Sequence, residues 1–560
     1  MFTLHSFEEI KENERSVIER LNYQSLILME NAANSCCNFI LNLLDGNIAD
    51  VKPLWMQEAI KTKLEKAIES FLTNKSIAFL IGSSNNGADG IAIARKIALR
   101  LKNKVEVNIL LLNDAKTDER KYQEHLLRDL KLENVNFFKF EEKVEDRFIK
   151  VFESPFIIDC ITGIGLKAPL SESFTEKLTT IESNIKNDAF IISVDLPSGL
   201  CLKSEKILSS DVTLMLGELK QEFFLSELRK YSKTYVKLDI DLPFENQINL
   251  PQKQAINFYL LEMNDAFKIL CKREFFTNKG NFGKTYVFAN SLGTLGAAIL
   301  AALTAFKTGI GYIYIVLPEE YELELKARYP NIITIGYNIK RLEDLYKTLL
   351  DSFKGKNENI SALIGSGFGL KDDLFFEILE FLFKNRIKTV IDGDGLNIIA
   401  NNFEKFQSIN RLSNSSFIFT PHIAEFSRIY DSFLKNHDLP RSSNEKCNIE
   451  KCISIVENTP DCSILLKDYI SAFVCKEDVY INEGCFDGYA KAGTGDFIAG
   501  LLSGFLANLT IKQSGALTLI MQDQLAFLIK SKKISSYSIK SEDLIELLDE
   551  VFSRLEYRNN

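Results

Sequence analysis

Histidine is scarce in this chain, with four among 560 residues. The ten cysteines form no Cys-x-x-Cys pair; Cys36 and Cys37 are adjacent and the others are scattered. A zinc site needs closely spaced Cys and His ligands, so few are on offer. The cysteines read as reduced thiols of a cytoplasmic protein, most of them small core residues. There is also no excess of positive charge: 67 Lys and Arg stand against 76 Asp and Glu, a net charge of −9. Nucleic acid and anionic membranes select basic surfaces, so neither is expected as the main partner. Residues 1–20 mix Glu, Lys and Arg and lack the apolar core of a secretory signal. The one stretch resembling a membrane span, residues 295–317, carries Lys307 in its middle. Gly309-Ile310-Gly311 splits it into a small-residue helix and a Tyr/Ile/Val strand. Internal repeats and low-complexity tracts are missing too.

What is present is an ordinary globular composition, 46% apolar and 26% charged, long enough for several cored domains. Short apolar runs alternate with helical patterns. They fall at 77–81, 105–112, 156–159 and 190–195, then at 285–289, 312–316, 362–364, 389–392, 417–419 and 463–466. Such runs, many ending in a polar or glycine-rich loop, predict parallel sheets with helices on both faces. In these sheets ligands bind at the carboxyl ends of the strands. Leu242-Pro243 and Leu250-Pro251 flank the polar Glu245-Asn246-Gln247 and mark a seam. The reading is α/β throughout, with one domain over 1–245 and a second over 255–560.

The most informative segment is Gly493-Thr494-Gly495-Asp496, which opens the apolar run beginning at Phe497. Glycines before a helix let backbone N–H groups face an anion, and the helix dipole adds to them. A carboxylate beside that anion has a task open to it, taking a proton from a hydroxyl that approaches a phosphate. A turn in which Asp496 only caps the helix is the other reading. In the first half, Gly82-Ser83-Ser84-Asn85-Asn86-Gly87-Ala88-Asp89-Gly90 follows the 77–81 run and imitates a dinucleotide fingerprint whose middle glycine is replaced. Asp159 precedes Thr162-Gly163-Ile164-Gly165-Leu166, and Asp195 lies in Val194-Asp195-Leu196-Pro197-Ser198-Gly199. Residues 278–285 imitate a P-loop, but Asn278 replaces its first glycine and Lys284-Thr285 runs into a strand, so that reading fails.

The first-half motifs, with Met29-Glu30-Asn31-Ala32 before them and Asp211-Val212-Thr213 after, occur in the order seen in the NAD(P)H-hydrate epimerases. The chain resembles that family over most of 1–240. The resemblance implies a Rossmann-like fold, a potassium ion, and interconversion of the R and S epimers of hydrated NADH and NADPH. It places Asn85, Asn86, Gly87, Ala88 and Asp89, with Gly163, Ile164, Gly165, Leu166, Lys167, Ala168 and Pro169, around the substrate. Asn86, Asp159 and Ser198 would hold K⁺, and Asp195 would be the acid or base. Ala88 stands where the family usually has glycine, so its methyl is expected to narrow the approach to substrate phosphates.

In the second half, Gly293-Thr294-Leu295-Gly296-Ala297-Ala298, Gly365-Ser366-Gly367, Asp392-Gly393-Asp394-Gly395, Thr420-Pro421-His422, Leu466-Lys467-Asp468 and Gly493-Thr494-Gly495-Asp496 resemble the ADP-dependent NAD(P)H-hydrate dehydratases. Those enzymes are relatives of ribokinase-like kinases. Together the two halves are similar to the bifunctional NAD(P)H-hydrate repair family. The resemblance implies Ala297, Gly367, His422 and Asp496 at the hydrate, with Asp496 as base. It implies Lys467, Asp468, Tyr469, Ile470, Ser471 and Gly495 at the nucleotide, which would be ADP with Mg²⁺, and release of AMP and phosphate. A homo-oligomer is implied as well. The family's Gly-Pro-Gly is Gly365-Ser366-Gly367 here, and Asp468 replaces a glycine, placing a negative charge beside the nucleotide phosphates. A ribokinase-like vitamin-precursor kinase and a nucleotide-binding scaffold with decayed loops remain as alternatives.

Overall fold

The computed structural model describes residues 1–140, 149–166, 169–242, 256–270, 273–274, 276–353, 359–413, 415–437, 439, 446–484 and 486–557. The chain forms two compact units, one of Thr3–Gln254 and the other of Met1–Phe2 with Ala255–Asn560. Among the described residues no helix is long and apolar enough to cross a membrane.

In the first unit, β1 (Ser76–Ile81), β2 (Glu106–Leu111), β3 (Val135–Lys139), β4 (Phe156–Cys160), β5 (Phe190–Val194), β6 (Ser210–Leu216) and β7 (Ser232–Leu238) form one sheet in the order β3-β2-β1-β4-β5-β6-β7. Every pairing is parallel. β1, β4 and the inner end of β5 are almost wholly buried, as continuous apolar runs require when helices cover both faces. The order reverses between β1 and β4, and a crevice opens at such a switch point. The backbones cross closely there: Gly82 N–H donates to Cys160 C=O at 3.1 Å. Three helices bear on the site, α1 (Phe7–Leu21), α2 (Ser25–Leu44) and α3 (Asn85–Leu101).

The second unit holds β8 (Asn257–Leu260), β9 (Lys284–Phe288), β10 (Tyr312–Pro318), β11 (Ile333–Tyr337), β12 (Ile360–Ile364), β13 (Lys388–Ile391), β14 (Phe417–Phe419), β15 (Cys462–Leu466), β16 (Ala472–Val474) and β17 (Asp478–Ile481). Their order is β8-β17-β16-β15-β14-β13-β12-β9-β10-β11. The expected parallel pairing runs from β11 through β15. It is corrected beyond that point, because β16 pairs antiparallel with both β15 and β17. The connections 467–471 and 475–477 are too short for the crossover that parallel neighbours need.

The switch point lies between β9 and β12. Two helices start above it, α4 (Leu295–Lys307) and α6 (Thr494–Asn508), with α5 (Ile423–Asn436) and α7 (Ser541–Tyr557) flanking. α4 and α6 pack with almost nothing between them. A Cβ on Gly500 would strike the Ala301 carbonyl oxygen, and one on Gly504 would strike Thr308 Oγ1 and approach Ala305 O to 2.7 Å. The small residues of the 295–305 run are thus the condition for bringing the two helix starts side by side. Lys284 and Thr285 lie in β9, which bears out the rejection of a P-loop.

Candidate functional site

In the first unit the ends of β1, β4 and β5 bring their loops to one place. Asp159, the register partner of Ser193, is fully buried. Its carboxylate accepts from Ser193 Oγ at 3.0 Å, Ser198 N at 2.9 Å, Ile161 N at 3.2 Å and the Ser198 hydroxyl. Burial pushes its pKa up, and these hydrogen bonds pull it back. Ser198 Oγ accepts from Thr162 N at 3.0 Å, which ties the β4 loop to the β5 loop.

Asp195 follows β5 with φ +69°, a left-handed conformation that is uncommon outside glycine. The turn aims its carboxylate across the crevice. Oδ2 accepts from Ile164 N at 2.9 Å, and Oδ1 pairs with Lys220 Nζ at 2.9 Å. A side chain on Gly163 would collide with Asp195 Oδ2 and come within 3.4 Å of Asn86 Cγ, so glycine is required at that position. Asn86 is buried, and neither its amide nitrogen nor its oxygen has a partner among the described residues. Buried amides are normally satisfied, and this one stands apart for that reason. Asp89 carries a carboxyl pushed well above its ordinary range by burial, then by Asp195 and Glu14.

Asn85 is exposed at the start of α3, Gly87 packs under the Gly82 carbonyl, and Gly165, Leu166 and Pro169 follow Ile164 at the surface side of the loop. The expectation for Ala88 is corrected. It is fully buried in the first turn of α3, so its methyl packs inside the protein and presents nothing to a phosphate. Lys167 and Ala168 lie outside the described residues. Sequence reasoning missed Lys220. Lys220 is 1% exposed, a burial that only its pairing with Asp195 and a bond to Leu216 O explain. Nothing in Glu218-Leu219-Lys220-Gln221 distinguishes it from a surface lysine except the apolar Phe223-Phe224 that follows.

In the second unit Asp392 is the hub. Its Oδ1 receives Lys467 Nζ at 2.8 Å and Thr420 Oγ1 at 2.7 Å, and its Oδ2 receives Ser366 Oγ at 3.3 Å. The ends of β12, β13, β14 and β15 are therefore joined through one carboxylate. Lys467 Nζ also lies 3.2 Å from where a Cβ on Gly495 would sit, so it covers the glycine loop at the start of α6. Asp496 is in the first turn of that helix. Its pKa is pushed up to about 6 by burial first and by Asp392 next, with the Ser366 hydroxyl and Lys467 opposing.

Gly367, at φ +70°, packs against the Thr294 carbonyl at the start of α4. Asp394 Oδ2 accepts from Gly369 N at 2.7 Å. His422 caps α5: its Nδ1 accepts from Ala424 N at 3.1 Å and Glu425 N at 3.4 Å. The ring proton is therefore assigned to Nε2, which lies 3.5 Å from Glu425 Oε1 on the more exposed side of the ring. Asp468 Oδ1 accepts from Tyr469 N at 2.7 Å, Tyr469 is exposed, and Ile470 and Ser471 are buried at the turn into β16. Ala297 and Asp496 both line an open cleft of about 660 Å³, together with Tyr537, Lys540 and Ser541. Sequence reasoning missed those last three, and also Asp392, Ser366 and Thr420 as a linked set. Ser366 was visible only as a departure from a motif.

Comparison with known proteins finds relatives of both units. Residues 25–222 match the family model described as YjeF-related protein N-terminus, and residues 286–549 match the one described as NAD(P)H-hydrate dehydratase. The chain is 27% identical over 562 residues to a bifunctional NAD(P)H-hydrate repair enzyme of Dictyoglomus turgidum, covering 98% of both proteins. It is 26% identical over 458 residues to the repair enzyme of Archaeoglobus fulgidus, covering 81% of this chain and 84% of that one. Among solved structures, it is similar to the ADP/ATP-dependent NAD(P)H-hydrate dehydratase from Bacillus subtilis co-crystallised with ATP and Mg²⁺. That likeness has 18% identity and a TM-score of 0.40, over 52% of this chain and 97% of that one.

Proposed function

Because the chain belongs to the bifunctional NAD(P)H-hydrate repair enzymes, we propose that residues 3–254 carry its epimerase and residues 255–560 its dehydratase. The protein repairs hydrated nicotinamide nucleotides. It interconverts R- and S-NAD(P)HX and dehydrates the S form to NAD(P)H in an ADP-dependent step that releases AMP and phosphate.

The observation that carries the dehydratase assignment is the arrangement of Asp496, Gly495 and Lys467. Asp496 takes the proton of the hydrate's hydroxyl as that oxygen attacks the terminal phosphate of ADP, and AMP leaves. Lys467 and the N–H groups at the start of α6 hold the phosphate being transferred. Phosphate then departs with the C–O electron pair while the neighbouring ring carbon loses a proton, which restores the ring double bond. A pKa of about 6 suits a base that is ionised at neutral pH yet still basic enough to work. Ala297, Gly367 and His422 border the hydrate, and Lys467 to Ser471 border the nucleotide. Among the described residues no group of three or more His, Cys, Asp or Glu side chains could hold a metal ion. Magnesium would be held chiefly by the ADP phosphates, as is usual for this ion.

In the epimerase, Asp195 is the acid–base group and Lys220 holds its carboxylate in place. The unpartnered Asn86 oxygen, together with Asp159 and Ser198, offers the mix of neutral oxygens and one carboxylate that suits a monovalent cation. Potassium bound there would supply positive charge beside the substrate's phosphates. The test is an absorbance assay on mixed NADHX epimers with ADP or ATP. Full return of the dihydronicotinamide band is expected with ADP. A plateau at one epimer removes the epimerase, and no return removes the whole reading.

A further inference from the structure

Gly82, the first residue after β1, is held by several neighbours at once. Its N–H donates to Cys160 C=O at 3.1 Å. A Cβ on Gly82 would strike the Ile161 carbonyl, and one on Gly87 would strike the Gly82 carbonyl oxygen. That same oxygen accepts from Arg120 Nε at 3.1 Å. The next carbonyl, of Ser83, accepts from Lys116 N at 2.8 Å. The turn that leads from β1 into α3 is therefore gripped by residues 116–120, where the helix Asp118–Asp129 begins.

Arg120 is fully buried, and a buried charge is costly unless it is paired. Its Nη1 donates to Glu124 Oε2 at 2.7 Å, but Glu124 Oε1 also receives Arg128 Nε at 2.9 Å and Nη2 at 2.7 Å. One carboxylate between two guanidinium groups leaves a positive charge over. Arg120 Nη2 has no partner among the described residues. The side chain is not what seats its helix. Ser25 Oγ donates to Glu119 Oε1 at 2.8 Å and Gln123 Nε2 to Glu30 Oε1 at 3.1 Å, which fasten the helix to α2. Thr117 Oγ1 caps it by accepting from the backbone N of Arg120 at 3.3 Å. What the guanidinium adds is a fixed donor and a charge at the back of the turn.

We propose that Arg120 is a positioning residue of the epimerase, holding the Gly82 turn so that the N–H groups at the start of α3 meet a phosphate of the dinucleotide substrate. The inference rests on the epimerase reading of this site. Arg120 acts through the Gly82 carbonyl and touches no substrate. Because Gly87 bears on the same oxygen, a shift of that carbonyl displaces the first turn of α3, which carries Asn86. The surplus positive charge, little screened inside the protein, adds to the helix dipole in favouring an anion there. The phosphates of the substrate lie away from its reacting ring and are held alike in the ground state and the transition state. Their loss is therefore felt in KM and not in kcat. Asp195 stands on another loop and keeps Ile164 N and Lys220 as partners whatever side chain is at position 120.

The test uses the full chain, purified R-NADHX and excess ADP, under conditions in which epimerisation limits recovery of the absorbance band. Arg120→Met should raise the KM for R-NADHX on the order of 10-fold and leave kcat within about twofold of its original value. Arg120→Lys, which keeps the charge on a shorter reach, should recover part of the lost affinity, and it carries the test should Arg120→Met fail to fold. Both constants for the pure S epimer should be the same in all three proteins. An active wild type whose variants keep its KM, or whose variants lose activity mainly in kcat, overturns the role given to Arg120. A wild type that never consumes the R epimer overturns the epimerase reading itself.

Discussion

Lys467 Nζ sits 2.8 Å from Asp392 Oδ1 while lying over Gly495, so one ammonium group serves both a buried carboxylate and the glycine loop at the start of α6. Asp496 feels both partners, raised by Asp392 and lowered by Lys467. Dehydratase kcat/KM should therefore climb with pH through about 6, as Asp496 ionises. Asp392→Asn removes the neighbouring negative charge and should carry that acid limb to lower pH. Lys467→Met should carry it higher and raise the KM for ADP. The measurement is a kcat/KM profile on pure S-NADHX. An acid limb that does not move in either variant removes Asp496 from the role of base.

Ser366 gives the same carboxylates a hydroxyl. It donates to Asp392 and lowers Asp496. Ser366→Ala should move the acid limb upward and reduce the rate below pH 6 more than at pH 8. A uniform loss across that range would mean the hydroxyl acts only in packing.

Lys220→Met leaves Asp195 in a buried site without its counter-charge. Breaking a buried pair from one side costs about 3–5 kcal/mol, so a clear fall in the melting temperature of the first unit is expected. Consumption of R-NADHX should cease while S-NADHX is still dehydrated. Retained epimerisation would show that Asp195 needs no fixed partner.

Gly500→Ala tests the contact between α4 and α6. A methyl directed at the Ala301 carbonyl forces the helices apart, at about 1–3 kcal/mol. Asp496, one turn from Gly500 on the same helix, would shift relative to Ala297. Dehydratase kcat should fall and the transition in urea should come earlier, with epimerase activity unchanged.

Glu222 offers a test of pH and stability. Burial pushes its pKa up to about 7, against the hydrogen bonds from Phe7 N. In the unfolded chain the carboxyl ionises near 4.5, whereas in the folded one it keeps its proton until about 7. Between those values the folded state binds more protons. The contribution of Glu222 is thus complete below the unfolded pKa and is lost as pH rises through the folded one. Glu222→Gln should flatten the fall in stability across that window, as followed by denaturant titrations at several pH values.

How much of this was legible in the sequence depends on how each feature is built. β1, β4, β5, β12 and β14 are continuous apolar runs ending in Gly, Asp or Pro, and a parallel sheet writes itself that way because both faces are covered. β6 and β7, with Ser, Asp, Thr and Lys among their residues, and the hairpin strands β16 and β17 do not follow that pattern and were not anticipated. Asp159, Asp195 and Asp496 stand out in the sequence because each ends or follows a strand or opens a helix. Lys220 does not: it sits in a charged, surface-like stretch, and only the fold brings Asp195 to it from the end of another strand. Asp392 was read as part of a motif, but its role as a hub depends on Thr420, Ser366 and Lys467 arriving from three other strand ends.

The contact between α4 and α6 has a consequence for how the dehydratase cleft can move. Where backbone meets backbone there are no rotamers to exchange, so the spacing of Ala297 and Asp496 can change only if a whole helix lifts. The two inner walls of the cleft then act as a rigid gauge. Any change of aperture falls to the remaining wall, residues 537–542. That wall is tied by Lys491 Nζ to Tyr537 O at 2.6 Å and to Ile539 O at 2.8 Å, and by Ser541 Oγ to Ala492 O at 3.3 Å. Three hydrogen bonds, two of them from a single lysine, stand between a fixed aperture and an adjustable one.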